Sequence, residues 1–177
     1  QADAVLTAGH TGAGMAAAVL RLGRLAGVDR PALAVQMITD SGPMVLLDIG
    51  ANPDSTPENL AQYARMGAIF AEQVLGVHDP RVALLSIGEE KGKGDARIQR
   101  ATELLDASSL RFEGNIEGKD LTRHPADVIV TDAVVGNVVI KFFEGLSTFI
   151  FDLWRAEFRG SWRGRLAYLL MRPGIDR

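Results

Sequence analysis

The chain has 177 residues, of which 47% are hydrophobic and 23% are charged, so it is long enough for one globular domain with a sizeable core. The net charge of −3 argues against general nucleic-acid binding, and the absence of cysteine excludes disulfides, thiolate metal sites and a cysteine nucleophile in these residues. The first residues lack the features of a signal peptide, and no uninterrupted apolar run approaches the ~20 residues of a membrane-spanning helix.

Apolar runs typical of buried strands alternate along the chain with segments of helical period. The sequence predicts strands over 3–9, 31–38, 43–50, 81–88, 110–118 and 126–132, and helices over 11–25, 55–76, 95–108 and 136–158. The helix over 55–76 has the clearest signals. Ser55 or Thr56 can cap it, Pro57 suits its first turn and Gly76 can end it. Strands rich in Val, Ile and Leu that alternate with helices predict an α/β fold with a mostly parallel sheet covered on both faces.

We expect residues 1–177 to form a single α/β domain that is a piece of a longer protein, because the sequence opens without a methionine. The last part of the sequence differs in composition from the rest. A basic, amphipathic helical segment is predicted at about 149–172, where the stretch from Arg155 to Arg172 contains five arginines, both ends included, among aromatic and leucine side chains. This segment could touch anionic lipid, bind an acidic partner protein, or form a dimer interface or core helix with solvated arginines.

Five polar, glycine-rich loops follow predicted strands, namely AGHTGAG, DIGANPD, SIGEEKGKG, EGNIEG and TDAVVGN. In parallel sheets, ligands bind where loops leave the carboxyl ends of the strands. The first loop can cradle an anion at a helix start with His10, Thr11 and Gly12, although its glycines could equally serve only close packing. Asp48 and Asn52 are either ligand contacts or residues that hold a turn.

Lysines and asparagines in the later loops suit a phosphate or a developing oxyanion. Lys91 and Lys93 can neutralise a phosphate, and Gly92 and Gly94 permit close backbone approach. The only three histidines lack neighbours at metal-ligand spacing, and no Ser–His–Asp arrangement is apparent. We therefore expect neither a metal site nor a serine mechanism.

The motifs TAGHTGAGMA, LLDIGAN, LLSIGEEKGKG, GNIEG and DAVVGNVVIKFFEG together resemble those of the PlsX-type phosphate acyltransferases of bacterial phospholipid synthesis. The resemblance runs in order from about residue 2 to residue 173. It implies a three-layer α/β/α fold similar to those of phosphotransacetylases and isopropylmalate dehydrogenases, and a cytoplasmic homodimer with peripheral contact to an anionic membrane. It also implies that long-chain acyl–acyl-carrier-protein and inorganic phosphate give acyl-phosphate and free carrier protein, without a cofactor.

On this resemblance, Lys93 is predicted to be the cation at the phosphate or the oxyanion, and Asn137 the amide donor on the opposite loop. The other predicted substrate-binding residues are His10, Thr11, Gly12, Asp48, Asn52, Glu89, Glu90, Lys91, Gly92, Gly94, Asn115, Asp132 and Gly136. Of these, Glu89, Glu90 and Asp132 are expected to orient lysines and loops rather than transfer protons.

Two other functions remain open on the sequence. An NAD-dependent dehydrogenase of similar architecture is disfavoured, because TAGHTGAG lacks the dinucleotide fingerprint spacing. The second alternative is a non-catalytic module that binds phosphate or acyl groups.

Overall fold

The computed structural model describes residue 6, residues 9–39 and residues 41–175, with side chains described as far as residue 171. The strand predicted over 3–9 falls almost entirely outside these residues. The chain divides into two compact units, residues 1–137 and 138–177, and each is described by itself.

The elements alternate as the sequence predicts. The helices are α1 (Thr11–Leu22), α2 (Pro57–Leu75), α3 (Ala96–Asp106), α4 (Ala133–Gly160) and α5 (Trp162–Ile175), and a 3-10 turn spans Gly118–Arg123. The strands are β1 (Ala34–Thr39), β2 (Gly42–Leu47), β3 (Val82–Leu85), β4 (Phe112–Ile116) and β5 (Val128–Val130). The 3-10 turn was not predicted, and α4 begins three residues before the predicted start at 136 because Asp132 caps it.

The five described strands form one sheet in the order β1-β2-β5-β3-β4. β2, β5, β3 and β4 run parallel, and β1 pairs antiparallel with β2. The α/β class and the mostly parallel sheet are therefore confirmed. The carboxyl ends of the four parallel strands meet at one edge of the sheet, which we call the carboxyl edge.

Helices α2 and α3 pack on one face of the sheet, against inward-facing side chains of the three central strands. These side chains are Val45, Leu47, Val82, Leu84, Val128 and Val130. Thr56 and Asn59 form a reciprocal capping box at the start of α2, and Gly76 ends the helix in a left-handed conformation. Gly67 lets α2 approach closely, since a Cβ there would lie 2.4 Å from Cγ1 of Val128.

A polar cluster ties the β1–β2 hairpin to the sheet at the edge opposite the carboxyl edge. The ring of His124 lies between two side chains, with Nδ1 2.8 Å from Oγ1 of Thr39 and Nε2 2.9 Å from Oδ1 of Asp127. Nε of Arg81 donates to Oδ2 of Asp127 at 3.2 Å. Burial by itself would raise the pKa of Asp127, but hydrogen bonds from Arg81 and His124 outweigh it and lower that pKa to about 2.

This lowered pKa predicts a pH-dependent contribution of Asp127 to stability. A carboxyl whose pKa is lower in the folded than in the unfolded chain stabilises fully above about pH 4, and the contribution disappears as the pH falls towards 2. We expect Asp127→Asn to lower the free energy of unfolding by roughly 2 kcal/mol at neutral pH. Urea unfolding of both proteins at neutral pH and near pH 2.5 measures this. An equal difference at the two pH values would contradict the assignment.

The second unit contains most of α4 and all of α5. By length and composition alone, α4 is apolar enough to cross a membrane, and 6% of its most apolar window is buried. One such helix is weak evidence for a span, because core helices and signal sequences meet the same criteria. In the sequence, charged residues such as Lys141 and Glu144 interrupt the apolar run of α4.

Candidate functional site

The loop after β2 is organised around the fully buried carboxylate of Asp48. Its Oδ1 accepts hydrogen bonds from the backbone N–H groups of Leu33 (3.2 Å), Gly50 (3.1 Å) and Ala51 (2.9 Å). Its Oδ2 accepts from the backbone N–H and the side-chain amide of Asn52, each at 2.9 Å. Both oxygens of Asp48 therefore hold the turn, which matches the turn-holding interpretation of this pair. A substrate contact by either residue stays a prediction.

The loop after β5 leads directly into α4. Oδ1 of Asp132 accepts from the backbone N–H groups of Val134 (2.9 Å) and Val135 (3.1 Å), so its carboxylate caps the helix. Gly136, one turn into the helix, lies against the end of β2. A Cβ at this position would be 2.0 Å from the carbonyl oxygen of Asp48. Only glycine lets the start of α4 pack this closely on β2.

Asn137 lies beside the β2 loop because of that packing. A Cβ added to Gly50 would lie 3.7 Å from Oδ1 of Asn137. The structure thus brings Asn137 and Gly136 together with the loop that Asp48 organises. In the sheet, β5 lies between β2 and β3, and the loop after β3 carries the lysines.

The loop after β3 distinguishes its two lysines. Nζ of Lys91 lies 2.7 Å from Oδ2 of Asp106, the last residue of α3. Lys93 forms no side-chain hydrogen bond or ion pair within the part of the chain that the structure describes. Its aliphatic stem covers Gly88, where a Cβ would be 2.7 Å from Cγ of Lys93. Among the described residues Lys93 is therefore a cation without an ion-pair partner, and its stem lies against the loop after β3.

The two glycines near Lys93 shape the same loop. Nε2 of Gln99 donates to the carbonyl oxygens of Gly92 (2.9 Å) and Gly94 (3.1 Å), which ties the loop to α3. Gly94 has a φ of 90°, a conformation that favours glycine. A Cβ there would lie 3.0 Å from Oγ of Ser86, so the loop passes directly over the end of β3.

Asn115 supports this loop from the side of β4, and the loop itself carries Glu89 and Glu90. Glu89 and Glu90 are exposed, and Oε1 of Glu89 lies 3.9 Å from Nζ of Lys119. Asn115 is buried, and its Nδ2 donates to the carbonyl oxygen of Glu90 at 3.4 Å. Oδ1 of Asn115 accepts from Thr102 at 3.0 Å. The contacts of Asn115 thus hold the backbone of the loop.

Arg97, which the sequence analysis did not single out, links the loops after β3 and β5. Its Nη2 lies 3.2 Å from Oδ2 of Asp132 and 3.5 Å from Oδ2 of Asp95. Asp95 caps α3 by accepting from the backbone N–H of Ile98 at 2.9 Å. Arg97 therefore joins the starts of α3 and α4. In the sequence, Arg97 looks like any charged residue of an amphipathic helix. Its position in the first helical turn after a strand-end loop is the one feature that could have indicated a role at the site.

His10, Thr11 and Gly12 lie at the start of α1. Nδ1 of His10 accepts from the backbone N–H of Ala13 at 3.4 Å and so caps the helix. Among the described residues, no hydrogen bond or ion pair joins these three residues to the loops at the carboxyl edge. Their assignment to substrate binding stays a prediction.

The carboxyl edge thus carries two cationic groups and one amide close to the starts of two helices. One cation is that of Lys93, which has no ion-pair partner among the described residues, and the other is that of Arg97, which is paired with Asp132 and Asp95. The amide is that of Asn137. Such groups stabilise an anion or a developing negative charge. In the described ranges, no group of three or more His, Asp or Glu residues is placed to hold a metal ion.

Comparison with known proteins identifies the family of this chain. A profile of the family described as fatty acid synthesis protein matches residues 1–177. The chain belongs to this family. It is 47% identical to a phosphate acyltransferase of Heliobacterium modesticaldum over 99% of this chain and 52% of that protein. It is 48% identical to a phosphate acyltransferase of a Synechococcus species, strain JA-2-3B'a(2-13), over 99% of this chain and 47% of that protein. The resemblance to the PlsX-type phosphate acyltransferases is confirmed.

The fold has a counterpart among solved structures. The EutD phosphotransacetylase from Staphylococcus aureus superposes with a TM-score of 0.59 at 21% identity, covering 74% of this chain and 46% of that chain. At this identity the likeness concerns the fold alone, and it confirms the predicted similarity to phosphotransacetylases. The family member described here spans about half the length of the curated relatives it matches.

Proposed function

We propose that the natural protein carrying this chain transfers a long-chain acyl group from acyl carrier protein to inorganic phosphate, giving acyl-phosphate and free carrier protein. One observation carries the proposal. Lys93, at the carboxyl end of a central parallel strand, is a cation without an ion-pair partner in the described part of the chain, whereas Lys91 is paired. Membership of a family whose relatives are named phosphate acyltransferase supports the reaction class.

The reaction places few chemical demands on the protein. An oxygen of phosphate attacks the carbonyl carbon of the thioester, a C–O bond forms, the C–S bond breaks, and the thiol leaves with a proton. Phosphate is already anionic at neutral pH, so no strong base is required. The protein must hold phosphate next to the carbonyl and stabilise the developing oxyanion. In this proposal Lys93 neutralises the phosphate, and the amide of Asn137 donates to the oxyanion.

The experiment is a thiol-release assay with the natural full-length polypeptide that contains this sequence. Palmitoyl–carrier protein is supplied with and without inorganic phosphate, and free thiol and acyl-phosphate are measured. We expect thiol release that requires phosphate and an equal amount of acyl-phosphate. Thiol release that is independent of phosphate, or no release at all, contradicts the proposal. A change in absorbance that requires NAD would instead favour the dehydrogenase.

We further propose that the enzyme is a cytoplasmic homodimer. The support is an exposed apolar stripe on α4, whose members recur every three or four residues and so lie on one side of the helix. They are Val135, Val138, Phe142, Leu146, Phe149 and Leu153. A second copy of the chain can bury such a stripe. The molar mass from light scattering tests the proposal, and a strictly monomeric enzyme contradicts it.

Peripheral contact with an anionic membrane is proposed from the second unit. Its helices α4 and α5 enclose a groove of about 440 Å³ with aromatic and leucine walls and three arginines. The lining residues are Phe151, Trp154, Arg155, Phe158, Arg159, Arg165, Tyr168 and Leu169. Arginine beside exposed aromatic side chains suits anionic headgroups at an interface. Flotation with phosphatidylglycerol vesicles at low salt, compared with phosphatidylcholine vesicles, tests this. Equal flotation with both lipids contradicts a charge-dependent contact.

A further inference from the structure

The hydroxyl of Ser86 lies buried at the centre of the carboxyl edge. Ser86 directly follows β3, which lies between β5 and β4, and its backbone N–H donates to the carbonyl oxygen of Ile116 at 2.8 Å. Within the described residues, Oγ of Ser86 is buried and has no hydrogen-bond partner. A buried hydroxyl without a partner costs about 1–3 kcal/mol, and native structures keep few of them. This one therefore requires an explanation.

We propose that Ser86 contacts the substrate, and that its hydroxyl donates a hydrogen bond to an oxygen of bound inorganic phosphate. The inference rests on the proposed function and adds a phosphate contact to it. The backbone of Gly94 lies against Oγ of Ser86, since a Cβ there would be 3.0 Å away, and the next residue back is Lys93. The hydroxyl of Ser86 and the side chain of Lys93 thus both lie against the backbone of the loop after β3. A neutral donor beside a cation is an arrangement that suits phosphate.

Phosphate can reach Ser86 only after the loop of residues 87–94 shifts, because Oγ is buried and the backbone of Gly94 lies against it. The side chains of this segment are mostly solvent-exposed, and Ile87 is 81% exposed although it is apolar. The carboxylate of Glu90 lies close to Gly88, where a Cβ would be 2.9 Å from its Oε2. Glu90 in this position would repel phosphate, so phosphate binding at Ser86 requires that the shift of the loop also moves this carboxylate.

The test compares Ser86→Ala with the wild type in the natural full-length polypeptide. Binding of inorganic phosphate is measured by calorimetry or ³¹P line broadening, and the KM for phosphate is measured in the thiol-release assay. A hydrogen bond to a charged group predicts roughly 10- to 100-fold weaker phosphate binding and a higher KM for phosphate. The KM for acyl-carrier protein should be unchanged. Because the substitution removes a hydroxyl without a partner, thermal stability should be unchanged or higher.

Ser108→Ala is the matched control, because it removes a hydroxyl that follows α3 and that already donates to the carbonyl oxygen of Leu105 at 2.7 Å and accepts from the backbone N–H of Leu110 at 3.2 Å. We expect it to bind phosphate like the wild type. Equal phosphate binding by Ser86→Ala and the wild type would overturn the inference. A wild type that does not bind phosphate overturns it too, while phosphate-dependent thiol release would still uphold the proposed function. Weaker binding by Ser86→Ala without any thiol release would uphold the contact and reject acyl transfer.

Discussion

Replacement of Lys93 by alanine is expected to lower kcat/KM for acyl-phosphate formation by roughly 10²- to 10³-fold, with little change in stability. The expectation follows from the environment of this side chain. Its ammonium has no ion-pair partner in the described part of the chain, so its removal leaves no buried carboxylate uncompensated. The loss should therefore appear in turnover and in the KM for phosphate, which steady-state kinetics on the full-length polypeptide measure.

Lys91 provides the control two residues away in the same loop. It forms an exposed ion pair with Asp106, and such pairs contribute about 0–1 kcal/mol. Lys91→Ala should retain activity within about threefold, because a lysine held against the end of α3 is not available to the phosphate that Lys93 is proposed to neutralise. If the two alanine variants have equal activity, Lys93 is not the cation at the reacting phosphate.

The sequence predicted the alternation of strands and helices and the loops at the carboxyl edge, because those features depend on local patterns. Leu, Val and Ile runs with polar, glycine-rich ends specify buried parallel strands, and the caps of α2 can be read directly from Thr56 and Gly76. The motifs also indicated the family, and the profile match confirms it. These signals all lie within short segments of the chain.

The partners of charged side chains could not be predicted, because they depend on residues distant in sequence. Lys91 and Lys93 look alike in EEKGKGD, and only the position of Asp106 fifteen residues later distinguishes them. Arg97 reaches Asp132 across 35 residues, and that contact exists because β3 and β5 are neighbours in the sheet. Likewise, Ser86 stands out only because its buried hydroxyl has no hydrogen-bond partner among the described residues, and no local sequence pattern indicates that.

Gly136 is the residue at which the fold and the candidate site depend most directly on each other. Its Cα packs against the backbone at the end of β2, and an added Cβ would lie 2.0 Å from the carbonyl oxygen of Asp48 and 2.9 Å from Cγ2 of Thr131. The nearer atom is backbone, so no side-chain rotation can relieve the contact. The start of α4 would have to move, and Asn137 would move with it, away from the loop at Gly50.

We therefore expect Gly136→Ala to reduce stability by about 1–3 kcal/mol and Tm by roughly 3–10 °C. A displacement of Asn137 near 1 Å would also lower kcat/KM by up to about 10²-fold. Gly145→Ala is the matched control on the same helix, because nothing lies within 4 Å of its added Cβ. There the substitution should raise stability by about 0.5–1 kcal/mol through helix propensity and leave activity unchanged. Thermal unfolding and kinetics of both variants measure the contrast. If Gly136→Ala matches the wild type in both, then the close packing of α4 on β2 does not position Asn137.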